Sequence, residues 1–255
     1  MPKLAANISM MFTEWDFLDR FKAAADNGFP GVETLSPYEY PAEAVAKARE
    51  AAEVEVALFN LPFIAEERGF AALPWRKAEF RDALANALDY AEALQCLRVH
   101  AMAGIPGDEV DEEAVADTFA ENLAYAAAQA APRGVDICIE PINTRDIPGY
   151  YLNYIEDAAA IIARVGAPNL KLQFDIYHRQ IMSGDVMMSL AAHLPLIGHV
   201  QVASVPDRHE PTTGELDDAR VLHYLDELGY TGWVGCEYRP KAGTVAGLEW
   251  RKRLV

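Results

Sequence analysis

The sequence predicts an α/β fold, a (β/α)8 TIM barrel in a single domain over residues 1–255. Three observations carry that prediction. Short apolar runs alternate with stretches of helical period along the whole chain, with no linker, low-complexity tract or composition break. Such alternation implies parallel strands joined by crossover helices. Eight strand–helix units in about 250 residues is the size of a TIM barrel. The rival, an open doubly wound sheet, wants a Gly-rich turn after its first strand, and Asn7-Ile-Ser-Met-Met11 has no Gly.

Lys3 to Ile8 is the first strand, with Asn7 near its end. Glu14 to Asn27 follows as a helix, with Trp15, Leu18, Phe21 and Ala25 at helical spacing and Gly28 where a terminating glycine sits. Gly31 to Glu33 is a brief second strand, and Pro41 to Ala52 an Ala-rich helix opened by proline. Val54 to Leu58, β-branched and apolar, is the third strand. The stretch from Leu61 to Pro74 is long for a barrel connection; a loop of that length, carrying Phe63 and Arg68, is either a lid or a surface excursion. Lys77 to Leu94 is a helix with Phe80, Leu84, Leu88 and Ala91 on one stripe. Leu97 to His100 is the fourth strand, and Asp111 to Ala131 the next helix.

The apolar fifth strand, Val135 to Ile139, stops at Glu140 and Pro141. Asn153 to Val165 is a helix, with Asn153 as the expected cap, Glu156 as its capping-box partner and Gly166 as the stop. Lys171 to Asp175 is the sixth strand, Gly184 to Leu194 a helix, and Gly198 to Ala203 the seventh strand. Asp217 to Leu228 is helical, Trp233 to Cys236 is the eighth strand, and Gly247 to Leu254 closes the chain as a short helix.

Barrel enzymes place their chemistry where the strands end. Glu140, Asp175, Gln201 and Glu237 stand there on strands five to eight, which occupy adjacent staves. A lone Glu after an apolar strand is ordinarily a salt bridge or a loop contact. Four oxygen donors at equivalent positions on successive strands instead suggest a site for one divalent metal ion, and an all-oxygen set suits Mg²⁺ or Mn²⁺ better than Zn²⁺. Glu140 and Glu237 come from non-adjacent strands, so they can flank a substrate as the catalytic pair of proton carriers. His100, ending strand four, is within reach of substrate; Asn7, Glu33 and Asn60 are candidates for shaping the pocket. His199 shares a strand face with Gln201 but is given no part in the site, and His193, His209 and His223 read as surface or structural residues.

The bulk numbers narrow the partners. With 22 Lys and Arg against 39 Asp and Glu, the net charge is −17. A surface this acidic repels phosphate backbones, so no nucleic-acid partner is expected. Cys96, Cys138 and Cys236 form no CxxC and lie in or beside apolar runs, as buried thiols of a reducing compartment do. Met1-Pro-Lys-Leu-Ala-Ala6 is too short and weakly apolar for a signal peptide. No run approaches the ~18 apolar residues that span a bilayer. The expectation is a cytoplasmic enzyme with a small-molecule substrate and no membrane partner.

These residues also carry a resemblance. Ile139-Glu-Pro-Ile-Asn143, Phe174-Asp-Ile-Tyr-His178, His199-Val-Gln-Val-Ala203, Arg208-His-Glu-Pro211, Gly214-Glu215 and Gly235-Cys-Glu-Tyr238 resemble the hydroxypyruvate isomerase family. That family belongs to the xylose-isomerase-like TIM-barrel group, with ketose 3-epimerases and endonuclease IV. The resemblance runs from Ala6-Asn-Ile-Ser-Met10 to the last strand, and its C-terminal motifs are the specific ones. It implies that Glu140, Asp175, Gln201 and Glu237 bind the metal; Gln201, where the epimerases have His, sides with the isomerase branch. It implies that His178 contacts a substrate oxygen and that Arg208 lies near metal and substrate, where a guanidinium would hold a carboxylate. The alternatives are a structural role for His178 and a loop salt bridge from Arg208 to Asp207 or Glu210.

The implied reaction is an intramolecular oxidoreduction of a small hydroxy-oxo acid. Hydroxypyruvate and tartronate semialdehyde interconvert through a cis-enediolate. A 2-oxotetronate isomerase, or a ketose or inosose 3-epimerase or dehydratase, is the alternative. The resemblance also implies a homo-oligomer, dimer or tetramer. A DNA-repair endonuclease on this barrel would need many more His ligands than six His in total provide, and a basic groove.

Overall fold

A computed structural model describes residues 3–254. Met1 and Pro2, which open the stretch judged too weakly apolar for a signal peptide, lie outside the described residues. The strands are β1 (Lys3–Asn7), β2 (Gly31–Thr34), β3 (Glu55–Asn60), β4 (Arg98–His100), β5 (Asp136–Ile139), β6 (Leu170–Asp175), β7 (Ile197–Val202) and β8 (Trp233–Cys236). All pair in parallel with their sequence neighbours, and β8 returns to β1, closing the barrel. The helices are α1 (Asp19–Asp26), α2 (Ala42–Ala52), α3 (Lys77–Leu94), α4 (Glu112–Ala130), α5 (Ile155–Val165), α6 (Ile176–Met182), α7 (Val186–His193), α8 (Asp218–Glu227) and α9 (Thr244–Gly247).

The two faces of the strands carry different residues, as a period of two requires. Ala6, Val32, Ile137, Leu172, Phe174, Val200 and Val234 face the helices and join Phe80, Leu84 and Leu88 of α3 in one apolar core. The opposite face is small or polar apart from Trp233 near the strand starts. Near the strand starts, Ala5, Ala57 and Trp233 make their own cluster, and a Cβ on Gly31 would come within 2.6 Å of the Trp233 ring. Nearer the strand ends the same face carries Asn7, Glu33, Gln173, Asp175, His199 and Gln201, all buried. Gly235 sits among them, and a Cβ there would overlap the Glu33 carboxylate. Gly235→Ala is therefore expected to cost ~1–3 kcal/mol, as overpacking does, seen as a lower urea midpoint at unchanged m-value. An unchanged midpoint would show that the Glu33 side chain has room to withdraw.

Several predicted elements shift. The first helix begins at Asp19 rather than Glu14, because Glu14 leaves the helical path and accepts bonds from the Thr244 backbone N–H (2.6 Å) and hydroxyl (3.0 Å). Asn153 does not cap α5. Tyr154 holds that position without a side-chain bond, Asn153 Nδ2 donates to the Ile142 carbonyl (2.8 Å), and Glu156 pairs with Arg179 (2.9 Å). The helix α6 has no counterpart in the sequence pattern: it starts straight after β6, with Asp175 as its cap accepting from Tyr177 N–H at 2.7 Å. The helix expected over Gly184 to Leu194 begins at Val186, and the closing helix divides into α9 and a 3₁₀ stretch, Leu248–Leu254. The three cysteines are free and buried, as expected. No helix among the described residues is long and apolar enough to cross a membrane.

The long 61–74 connection is tied against the mouth of the barrel at both limbs. Leu61 N–H donates to the His100 carbonyl, and Ala71 and Ala72 N–H donate to Met102 and Ala103. Phe63 and Arg68 thereby line the cavity at the strand ends.

Candidate active site

The strand ends surround a cavity of about 230 Å³, whose wall includes His100, Glu140, Gln173, His178, Arg208 and Glu237. Glu140 and Glu237 each stand one residue beyond their strand, so strand geometry aims both carboxylates inward from β5 and β8. Asp175 and Gln201 lie within β6 and β7 and face each other in register. All four predicted ligand residues are buried, at four successive strands, and Glu140 and Glu237 line the cavity while Asp175 and Gln201 do not.

Their contacts differ. Glu237 accepts at both oxygens: Oε1 from Arg208 Nη2 at 2.8 Å, and Oε2 from Gln201 Nε2. Arg208 also lies 3.6 Å from Asp146 and 3.7 Å from Asp175 Oδ2, with its guanidinium over the Tyr177 ring. It forms no pair with Asp207 or Glu210; Glu237 is its partner. Although burial opposes the charge on Arg208, Glu237, Asp175 and Glu140 hold it more firmly protonated than usual.

His178 Nδ1 accepts from Asn143, whose backbone N is at 3.3 Å and side-chain amide at 2.6 Å. In the neutral ring this puts the proton on Nε2, and Nε2 lies 3.7 Å from Glu140 Oε1 and 3.6 Å from Asp175 Oδ2. Burial, with Arg208 and His100 nearby, keeps His178 neutral far below the usual range. His178 is thus a hydrogen-bond donor toward the cavity. His100 is its complement. Its Nδ1 faces the Asn60 side-chain oxygen at 3.2 Å, its Nε2 has no partner, and burial lowers it to about 3. A neutral His100 with its proton on Nδ1 offers an acceptor at Nε2.

Glu140, Asp175 and His178 bring ligand atoms within 4.8 Å of one another. Glu140 Oε1 and Asp175 Oδ2 are buried without a hydrogen-bond partner, and buried carboxylate oxygens seldom stand so. Burial drives Glu237 up to about 8 against the pull of Arg208, and Asp175 up to about 6. Burial, with Glu237 and Asp175 close by, lifts Glu140 well above the carboxylate range. A hard divalent cation suits this donor set, because three carboxylates share the one Arg208 guanidinium and two of their oxygens lack donors.

Two residues given little weight in the sequence belong to the site's foundation. Glu33 and His199 are fully buried and bonded to each other at 2.6 Å, and Glu33 also accepts from Gln201 at 2.9 Å. Glu33 carries the same signal as Glu140 and Glu237, a carboxylate near the end of an apolar strand, but its neighbouring staves offer amides, Asn7 and Asn60, rather than further carboxylates. Gln173, whose Nε2 donates to Gln201 Oε1 at 2.7 Å, was also overlooked.

Comparison with known proteins adds independent findings. The family described as xylose isomerase-like TIM barrel matches residues 21–254. The chain is 52% identical to the 2-oxo-tetronate isomerase of Cupriavidus necator, over 99% of this chain and 98% of that one. It is 42% identical to the hydroxypyruvate isomerase of Escherichia coli, over 98% of each. The fold superposes on a crystal structure of an AP endonuclease, family 2, from Brucella melitensis with a TM-score of 0.96 and 45% identity, covering 99% of this chain and 98% of that one.

Proposed function

The chain belongs to the xylose isomerase-like TIM barrel family, and from that premise we propose that it isomerises a small 2-oxo acid bearing a hydroxyl at C3. Hydroxypyruvate, converted to tartronate semialdehyde, is the first candidate. The four-carbon homologue 2-oxo-tetronate is the second, favoured by the 52% identity to an isomerase of that name. The observation that carries the reading is the pair of buried carboxylates, Glu140 and Glu237, entering one cavity from non-adjacent strands. The endonuclease name of one relative fits poorly with a cavity of about 230 Å³ and a net charge of −17.

Both acids need the same change: a proton leaves C3 and one arrives at C2, while the hydroxyl on C3 gives up its proton and the oxygen on C2 gains one. Glu237 is the base. Burial raises it to about 8 in the metal-free protein, but its two accepted hydrogen bonds and a cation in the site favour the ionised, acceptor-only carboxylate. Glu140 is the acid. Its Oε1 receives no donor, and burial with its carboxylate neighbours favours the protonated form. His178 Nε2–H donates to the oxygen on C2, and His100 Nε2 accepts from the hydroxyl on C3. A Mg²⁺ or Mn²⁺ held by oxygens of Glu140, Asp175, Gln201 and Glu237 would supply Lewis-acid polarisation of the carbonyl.

The substrate carboxylate needs a cation that is not already paired. Arg208 is engaged by Glu237, whereas Arg68 and Arg239 line the cavity and neither guanidinium makes an ion pair among the described residues. Arg239→Met is expected to raise KM about 10- to 100-fold with kcat little changed, the loss of one charge-assisted hydrogen bond. A fall in kcat at constant KM would place Arg239 outside substrate binding.

The function is tested by proton NMR in D₂O, with hydroxypyruvate and 2-oxo-tetronate given in parallel to Mn²⁺-loaded and chelated protein. Isomer formed with metal and absent after chelation supports the reading, and the larger kcat/KM identifies the substrate. Turnover that survives chelation would remove the metal from the reading, and no exchange on either acid would overturn it.

A further inference from the structure

The Glu33 carboxylate is the most heavily bonded acid in the barrel. It leaves β2, spans the interior and reaches β7 through the space that Gly235 leaves open. Oε1 accepts from Asn7 Nδ2 at 3.0 Å and from Gln201 Nε2 at 2.9 Å, while Oε2 faces His199 Nε2 at 2.6 Å. Three side chains from two strands converge on one carboxylate that is fully shielded from solvent. It lies outside the cavity wall, so it does not touch substrate.

The atom of Gln201 that faces Glu33 is Nε2, and the same NH₂ group also donates to Glu237. Oε1 is forced to the other side, where Gln173 Nε2 approaches at 2.7 Å and a second lone pair remains. Only the oxygen of a glutamine amide binds a hard cation, and a terminal amide torsion is broad and roughly two-fold. Nothing in the covalent structure of Gln201 selects the oxygen; its surroundings must.

We infer that Glu33 is a positioning residue that fixes the amide of Gln201 with its oxygen available to a divalent cation. The inference rests on the metal reading of the site. Without the Glu33 acceptor, only Glu237 and Gln173 hold the amide, and the turned form that presents NH₂, which does not ligate, gains population. Gly235 and Asn7 belong to the same device: one gives the carboxylate room and the other holds it in place.

The experiment measures Mn²⁺ binding to the metal-free protein by electron paramagnetic resonance of free Mn²⁺, without substrate. Glu33→Met, Gln201→Ala and the double variant form a cycle, with circular dichroism confirming that each is folded. Glu33→Met, which has similar length but no acceptor, is expected to raise the Mn²⁺ Kd about 10- to 100-fold, the usual effect of removing an outer-shell partner. In the Gln201→Ala background the same change is expected to alter Kd by no more than about twofold. Glu33→Asp keeps the charge but shortens the reach, and is expected to weaken binding as Glu33→Met does. Equal losses in both backgrounds, or full affinity in Glu33→Asp, would show that Glu33 acts through its charge and overturn the inference. A wild-type protein that binds no Mn²⁺ would overturn the metal reading itself, a separate outcome from failure of the cycle.

Discussion

Glu237→Gln is expected to lower kcat by about 10²- to 10⁴-fold, the range of one general acid–base group, and to abolish exchange of the substrate C3 proton with D₂O. Glu140→Gln is expected to lower kcat by a similar factor while leaving that exchange in place. The contrast follows from their environments. Arg208 and Gln201 both donate to Glu237 and, with a cation in the site, hold it against the burial that raises it, so it starts as the carboxylate that takes the first proton. Glu140 is buried among other carboxylates with an oxygen that receives no donor, so it starts as the acid that completes the transfer. A protein that keeps its base can still remove the C3 proton and return a deuteron there, even when the acid at C2 is gone. The amide variants are close in size to the parents and keep one oxygen, so a general loss of structure is not the expected cause. Exchange lost in Glu140→Gln and kept in Glu237→Gln would reverse the roles. Exchange kept in both would sink the two-carboxylate mechanism.

Much of this arrangement is legible in the sequence because strand ends are abrupt. Ile137-Cys-Ile-Glu140 and Val234-Gly-Cys-Glu237 pass from apolar to ionised in one step, and a parallel barrel gathers such ends at one face. Residues whose partners come from distant strands are harder to see. Glu33 and His199 are 166 positions apart and meet only because β2 and β7 face each other across the interior. Gly235 resembles an ordinary strand glycine until the Glu33 carboxylate is seen beside it. Local competition hides α6. Asp175 reads as a strand residue and a ligand, yet its side chain also accepts the Tyr177 N–H and starts a helix at once. Asn153 and Glu156 match a capping pattern that tertiary contacts to Ile142 and Arg179 override.

The crowding of acids also predicts how the metal-free protein responds to pH. Glu237 and Asp175 are raised to about 8 and about 6, and Glu140 well above its ordinary value. In the pH range between its unfolded and folded values, each binds more protons folded than unfolded, so each loses stability as pH rises through that range. His100 and His178 act in the opposite sense: burial lowers both, so they weaken the fold as pH falls below about 6.5. Below that point the two effects oppose each other. Toward pH 8 the histidines become neutral in either state and the groups raised to about 6 are spent, so Glu237 and Glu140 dominate the slope in the upper part of the interval from about 6.5 to 8. The metal-free protein is therefore expected to lose up to about 1.4 kcal/mol per pH unit for each titrating group in that interval. A cation in the site competes with those protons, so the stabilisation by Mn²⁺ over chelator is expected to grow with pH across the same interval. Urea midpoints at pH 6.5, 7.2 and 8.0, each with chelator and with Mn²⁺, decide the matter. A metal-free midpoint that stays level or rises toward pH 8 would mean that the carboxylates are already ionised in the folded chain. In that case Arg208 alone would balance them, and the electrostatic need for a metal would disappear.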